Sequence, residues 1–146
     1  MLHTTLTLTP LLLLITTVTS SAETSPVVSP SFIAKITVTE ISADGTRVEV
    51  ASPKIAYLAG RECHLSVSAG DGKQLSCRVK SDNHKHPDTH RIYFKLAKSS
   101  DNGQVNILAA PTVVVHSGRP GTVFIGQEPG PAVEFKVLVS RVRGDQ

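Results

Sequence analysis

An all-β fold is predicted for this 146-residue chain by two observations. Past Ala22 no segment keeps a helical period; apolar and polar residues alternate in short runs broken by Gly turns, as half-buried strands require. The chain also repeats itself. "VASPKIAYLAGRECHLSV" (Val50–Val67) and "LAAPTVVVHSGRPGTVFI" (Leu108–Ile125) share Ala-x-Pro, an apolar run, Gly-Arg and a second apolar run. A shift of 58 positions lays Gly45 on Gly103, Pro53 on Pro111, Gly60 on Gly118, Arg61 on Arg119, Gly72 on Gly130 and Cys77 on Phe135, with no gap from about residue 34 to 80. The predicted architecture is therefore a small sandwich, or paired antiparallel sheets, built from two tandem four-strand units.

The first 22 residues read as a secretory signal. "LTLTPLLLLITTVTSSA" has an apolar centre of signal-peptide length, and Ser20 and Ala22 suit a small-x-small cleavage site after Ala22, although the n-region has no Lys or Arg. Thr16, Thr17 and Thr19 leave the apolar run short of the ~20 residues that span a bilayer, so no transmembrane anchor is expected after cleavage. About 124 residues would remain, one ordinary domain or two very small ones. Residues 23–31, "ETSPVVSPS", form a Pro/Ser-rich lead-in.

Unit 1 spans residues 32–81. "IAKITVTEIS" alternates Ile36 and Val38 against Thr37 and Thr39, and "TRVEV" follows the turn "ADG". A three-residue loop, Ala43-Asp44-Gly45, sets Val38 opposite Val50; a two-residue loop would set it opposite Ala51 and turn Val50 away. The three-residue form wants a left-handed third residue, where Gly45, Gly72 and Gly103 all sit. Pro53 and Pro111 mark strand boundaries, because proline lacks the donor a central ladder needs. Gly60-Arg61 and Gly118-Arg119 are expected to close the next hairpins, their arginines either clamping a carboxylate or lying solvated at the tip. Residues 82–90 form a His-rich linker, unit 2 covers 91–142, and 143–146 is a tail.

"GQVNILAAPTVVVHSGRPGTVFIGQE" (Gly103–Glu128) resembles the core region of bacterial secretins, the type II and type III secretion system proteins. The matching residues are Leu108, Ala110, Pro111, Gly118, Ile125, Gly126 and Glu128. They follow the family's order of strand, small-small-Pro step, apolar strand, turn, and strand ending in Val/Ile-Gly-x-Glu. Unit 1 keeps Ala51, Pro53 and Gly60 but has Ser68 at the position of Gly126. Secretins form outer-membrane channels. This length leaves no room for ring-building domains or a gate, and the strands lack the aromatic girdles of a lipid-facing barrel. The resemblance thus implies a short exported relative made of the hairpin module.

Two groups of residues are candidates for chemistry. "SDNHKHPDTH" carries His84, His86 and His90; His84 and His86 fall on one side of an extended segment. The three imidazoles can hold Zn²⁺ or Cu²⁺, or stand solvated in a polar linker. Cys63 and Cys77 share the apolar face of one hairpin with Leu65, Val67, Leu75 and Val79. With the three-residue loop "GDG", Cys63 opposes Val79 and Cys77 opposes Leu65, leaving the sulfurs diagonal. A five-residue turn, Ser68–Gly72, would set them face to face for the disulfide an oxidising compartment favours.

No strand-turn-helix elbow presents a nucleophile and no Gly-rich loop opens a helix, so no enzyme is expected. A formal charge of +3 without a Lys/Arg block, and six scattered aromatics, give no case for nucleic acid. The expected role is an exported, non-catalytic protein in the bacterial periplasm or outer envelope, or secreted, working through protein–protein contact and self-association. The alternative is a periplasmic or secreted metal-binding protein using the linker histidines.

Overall fold

The computed structural model describes residues 31–81, 88–127 and 129–143. Ten strands run through them. The first copy supplies β1 (Ser31–Ile41), β2 (Arg47–Ala51), β3 (Lys54–Leu58), β4 (Glu62–Ser68) and β5 (Lys73–Ser81). The second supplies β6 (Thr89–Ser99), β7 (Val105–Ala109), β8 (Thr112–His116), β9 (Pro120–Gly126) and β10 (Ala132–Val142). Each copy therefore holds five strands, not four, because Pro53 and Pro111 each divide one edge strand in two. The proline carbonyls still serve the sheet: Pro53 O accepts from Ile36 N at 3.0 Å and Pro111 O from Phe94 N at 2.9 Å. Ser31 belongs to β1 rather than to the lead-in, and Thr89 and His90 belong to β6 rather than to the linker.

The strands form two antiparallel five-stranded sheets. The first has the order β2-β1-β10-β9, with β3 beside β1; the second has β4-β5-β6-β7, with β8 beside β6. Each sheet thus takes strands from both copies. The cause is the turn at Gly60-Arg61 and its twin at Gly118-Arg119, expected to close hairpins. Both carry the chain from one sheet to the other. Arg61 N donates to Leu58 O at 3.1 Å and Arg119 N to His116 O at 3.0 Å. Gly60 and Gly118, third in these turns, each have φ of 80°, the left-handed value a type II turn demands at that position.

Loop lengths follow the sequence prediction, and one register does not. Ser42 N donates to Thr46 O and Ser100 N to Gln104 O, closing three-residue loops with Gly45 at φ 84° and Gly103 at φ 81°. Val38 nevertheless faces Ala51, not Val50. A β-bulge intervenes: Thr39 pairs with Glu49, Val38 with Ala51, and Val50 is the extra residue. The second copy repeats it, pairing Ala97 with Ile107 and Leu96 with Ala109, and leaving Leu108 unmatched.

Alternate side chains from the two sheets meet in one core. Phe32, Ala34, Ile36 and Val38 of β1 pack with Phe135, Val137 and Val139 of β10, and with Leu75, Cys77 and Val79 of β5 and Ile92, Phe94 and Leu96 of β6. The Phe94 and Phe135 rings lie 5.0 Å apart between centroids. The central ladders are not exact copies. β5–β6 sets Cys77 opposite Phe94, whereas β1–β10 sets Phe135 opposite Val38 rather than Ile36. This two-residue slide keeps every side chain on its face. At the corner between sheets, β9 comes so close to β8 that a Cβ on Gly121 would fall 2.3 Å from Val115 Cγ1.

Two outcomes are expected. A fragment of residues 31–81 removes β10 from beside β1 and β6 from beside β5, so it should show no cooperative urea transition by circular dichroism; a cooperative one would contradict the shared core. Gly121→Ala should lower stability by ~1–3 kcal/mol through overpacking, and Val115→Ala should recover part of that loss in equilibrium denaturation.

Candidate functional site

At one edge of the second sheet, β7 ("VNILA") pairs, among the described residues, only with β6. Backbone alternation fixes which groups face outward. Ser100 and Gln104 form a bonded pair at the loop, so Ser99–Val105 and Ala97–Ile107 are non-bonded pairs. The N–H and C=O of Val105 and Ile107 therefore point away from β6 toward the open edge. Their side chains are 60% and 61% exposed. Beside them lies a cleft of about 400 Å³ between β7 and β9, lined by Leu108, Ile125, Ile41 and Val133 with Glu40.

The same place in the first copy is β2, and it carries the opposite chemistry. Arg47 and Glu49 stand where Val105 and Ile107 stand, and Arg47 is drawn into an ion pair with Glu134 of β10. Charged side chains on an edge strand oppose pairing with another chain. The fold thus has one charged edge and one apolar, uncharged edge at equivalent positions. Among the described residues no strand hydrogen-bonds to the outer side of β7, which makes it an exposed edge.

His90 lies at the opposite end of the sandwich, fully buried. Its Nδ1 is 2.8 Å from the Tyr57 hydroxyl and its Nε2 2.8 Å from Ser117 Oγ. A neutral imidazole donates through one nitrogen and accepts through the other, so both bonds are made without charge. The ring meets Phe32 edge-on at 4.5 Å between centroids. Phe32 is its counterpart in the first copy. Burial pushes the His90 pKa down; Asp88 opposes that shift and His116 adds to it. To ligate a metal, this ring would have to surrender one of its hydrogen bonds. His84 and His86 lie outside the described residues, and no cluster of three or more His, Cys, Asp or Glu suited to a metal occurs among the described residues.

Cys63 opposes Val79 and Cys77 opposes Leu65, the diagonal register of the three-residue loop, and both thiols are free. That loop is wound differently from the other two: Gly70, Asp71 and Gly72 are all left-handed, at φ 73°, 49° and 69°. Burial, with Cys63 adding to it, pushes the Cys77 thiol up to about 12, which makes it inert as a nucleophile. On the outer face of the second sheet a hollow is lined by His64, Ser66, Ser76, Arg78, Tyr93 and Lys95. Its arginine is engaged, 4.2 Å over the Tyr93 ring and 3.9 Å from Glu62.

The His90 environment predicts a pH dependence. Because folding lowers its pKa, the unfolded chain binds the proton more readily below the ordinary value of ~6.5. The stability from neutral His90 is complete above that pH and is lost as pH falls from it toward the depressed value. Urea midpoints at pH 7.5 and 5.0 should therefore differ more for the native protein than for His90→Gln; parallel pH slopes would sink the assignment. Comparison with protein-family models, curated proteins and solved structures returned no match for this chain.

Proposed function

We propose that this chain is an exported, non-catalytic protein of the bacterial envelope that works by adding a partner's β-strand to β7. The observation that carries this reading is the outward row of Val105 and Ile107, where exposed apolar side chains coincide with outward-facing backbone donors and acceptors. Strand addition draws affinity from such backbone groups and specificity from pockets that accept alternate side chains. The cleft between Leu108 and Ile125 lies on the inner side, where an added strand would turn every second residue. The fitting partner segment is extended, uncharged and apolar at alternate positions.

Further support comes from both ends of the inference. The signal-like residues 1–22 favour export. The secretin-like stretch Gly103–Glu128 contains β7 itself and suits an envelope setting. Catalysis finds no support among the described residues: His90 is locked between two hydroxyls and the Cys77 thiol is held protonated.

A synthetic peptide of residues 104–110 serves as a model partner strand. Hydrogen exchange followed by NMR should show the Val105 and Ile107 amides slowed at least tenfold by saturating peptide, with Arg47 and Glu49 amides unaffected. Val105→Arg/Ile107→Glu, which copies the β2 edge, should abolish the effect. Equal protection at both edges, or none at β7, would refute the proposal.

A further inference from the structure

The β7 edge is complementary to itself, and we infer that its partner is a second copy of this chain, joined antiparallel about a two-fold axis through Asn106. This inference rests on the strand-addition reading above and adds the identity of the partner. Its basis is the register. In β7 ahead of its bulge, Val105 and Ile107, flanking Asn106, direct their backbone groups outward. An antiparallel pair centred on Asn106 sets Val105 opposite the other copy's Ile107, and Ile107 opposite its Val105. Each is then a bonded pair exchanging two hydrogen bonds, and every outward group of the two residues finds a partner.

Side chains agree with the backbone. On the outer face Val105 and Ile107 meet their counterparts as apolar cross-strand pairs, which stabilise sheets. On the inner face the two Asn106 amides meet at the axis, each able to donate and accept. From Gln104 to Ala110 the strand has no charged residue, so self-pairing brings no like charges together and strips water from none. The overlap ends where Ala109 reaches Gly103 of the other copy, and β8 beyond the Pro111 bend stays clear. The symmetry is isologous and closed, giving a dimer rather than a fibre. A pairing this short covers less than the ~800 Å² per partner of a standard stable interface, so the dimer is weak and depends on concentration.

The equivalent edge does not offer the same interface. Pairing β2 about Val48 would set Arg47 opposite the other copy's Glu49, but only by taking Arg47 from its ion pair with Glu134. Of these two equivalent edges, β7 is free to pair with a copy of itself and β2 is held by an ion pair within the chain.

Sedimentation velocity tests this directly. The native protein should pass from monomer toward dimer between ~10 µM and ~1 mM, the range suited to so small an interface. Val105→Glu/Ile107→Glu sets like charges opposite each other across the axis and should weaken association at least tenfold without lowering the urea midpoint. Asn106→Cys in a Cys63→Ser background supplies a second measurement. Non-bonded antiparallel partners have Cα atoms ~4.5 Å apart, within the range a disulfide spans, so mild oxidation should give a covalent dimer. Val48→Cys in the same background should cross-link at least tenfold more slowly. A monomer throughout, a dimer that survives the double substitution, or equal cross-linking at both positions would overturn the inference. If the peptide of residues 104–110 protects β7 while the protein stays monomeric, the partner is a different chain and strand addition stands; if neither occurs, both readings fall.

Discussion

The left-handed backbone at Gly60 and Gly118 governs this molecule. At φ 80° each glycine ends a strand of one sheet and starts the chain into the other, so neither copy of the repeat can complete a sheet alone. β1 needs β10 and β5 needs β6, and these two long ladders hold the centre of the sandwich. A side chain at either glycine would be strained in that conformation, and without the crossing the inner faces would have nothing to cover them. Hydrogen bonds brace both turns: Gly60 N donates to Ser81 Oγ at 2.8 Å and Gly118 N to Val139 O at 2.7 Å. Ser81 and Val139 are equivalent positions, so one brace is kept by a side chain and the other by the backbone.

Duplication makes the fold its own control. Wherever equivalent positions carry different residues, the scaffold is constant and the chemistry is the variable. Phe32 and His90 are such a pair, and they touch. The aromatic slot is filled on one side by a hydrocarbon ring and on the other by an imidazole that draws in two hydroxyls, from Tyr57 and Ser117. The first copy has Ala59 at the position of Ser117, and the second has Val115 at the position of Tyr57. The polar cluster thus arises at positions where the two copies carry different residues. A buried imidazole is tolerable there because both nitrogens are bonded.

A second divergence lies at the edges. Any open sandwich leaves strand edges that can recruit other chains. Here Arg47 and Glu49 guard β2, and the Arg47 side chain is also held against β10. Val105 and Ile107 leave β7 unguarded at the equivalent place. The bulges at Val50 and Leu108 follow the same split. Val50 is half-buried against the core, while Leu108 lies 42% exposed beside the cleft.

Much of this was legible in the sequence because it depends on local rules. Alternation with period two identified the strands and their buried faces. Glycine placement set the three-residue loops at Gly45 and Gly103, but the sequence left Cys63 and Cys77 with two registers, diagonal or face to face, and the pairing of β4 with β5 chose the diagonal. The 58-residue shift revealed the duplication. Where a strand paired beyond its own loop, local rules ran out. The bulge that moves Val38 from Val50 to Ala51 answers to the neighbouring sheet, and a turn such as Leu58–Arg61 has one local sequence whether it closes a hairpin or crosses between sheets. The buried role of His90 was hidden for a similar reason: its partners lie 33 and 27 residues away in sequence, and only the packing of one copy against the other brings them to it. The sequence by itself determined which residues alternate and where the chain turns, because those preferences belong to single residues and their immediate neighbours. Tertiary structure decided which strand lies beside which, because that choice is made by burying two apolar faces at once, and with it decided that β7 lies at an edge of its sheet.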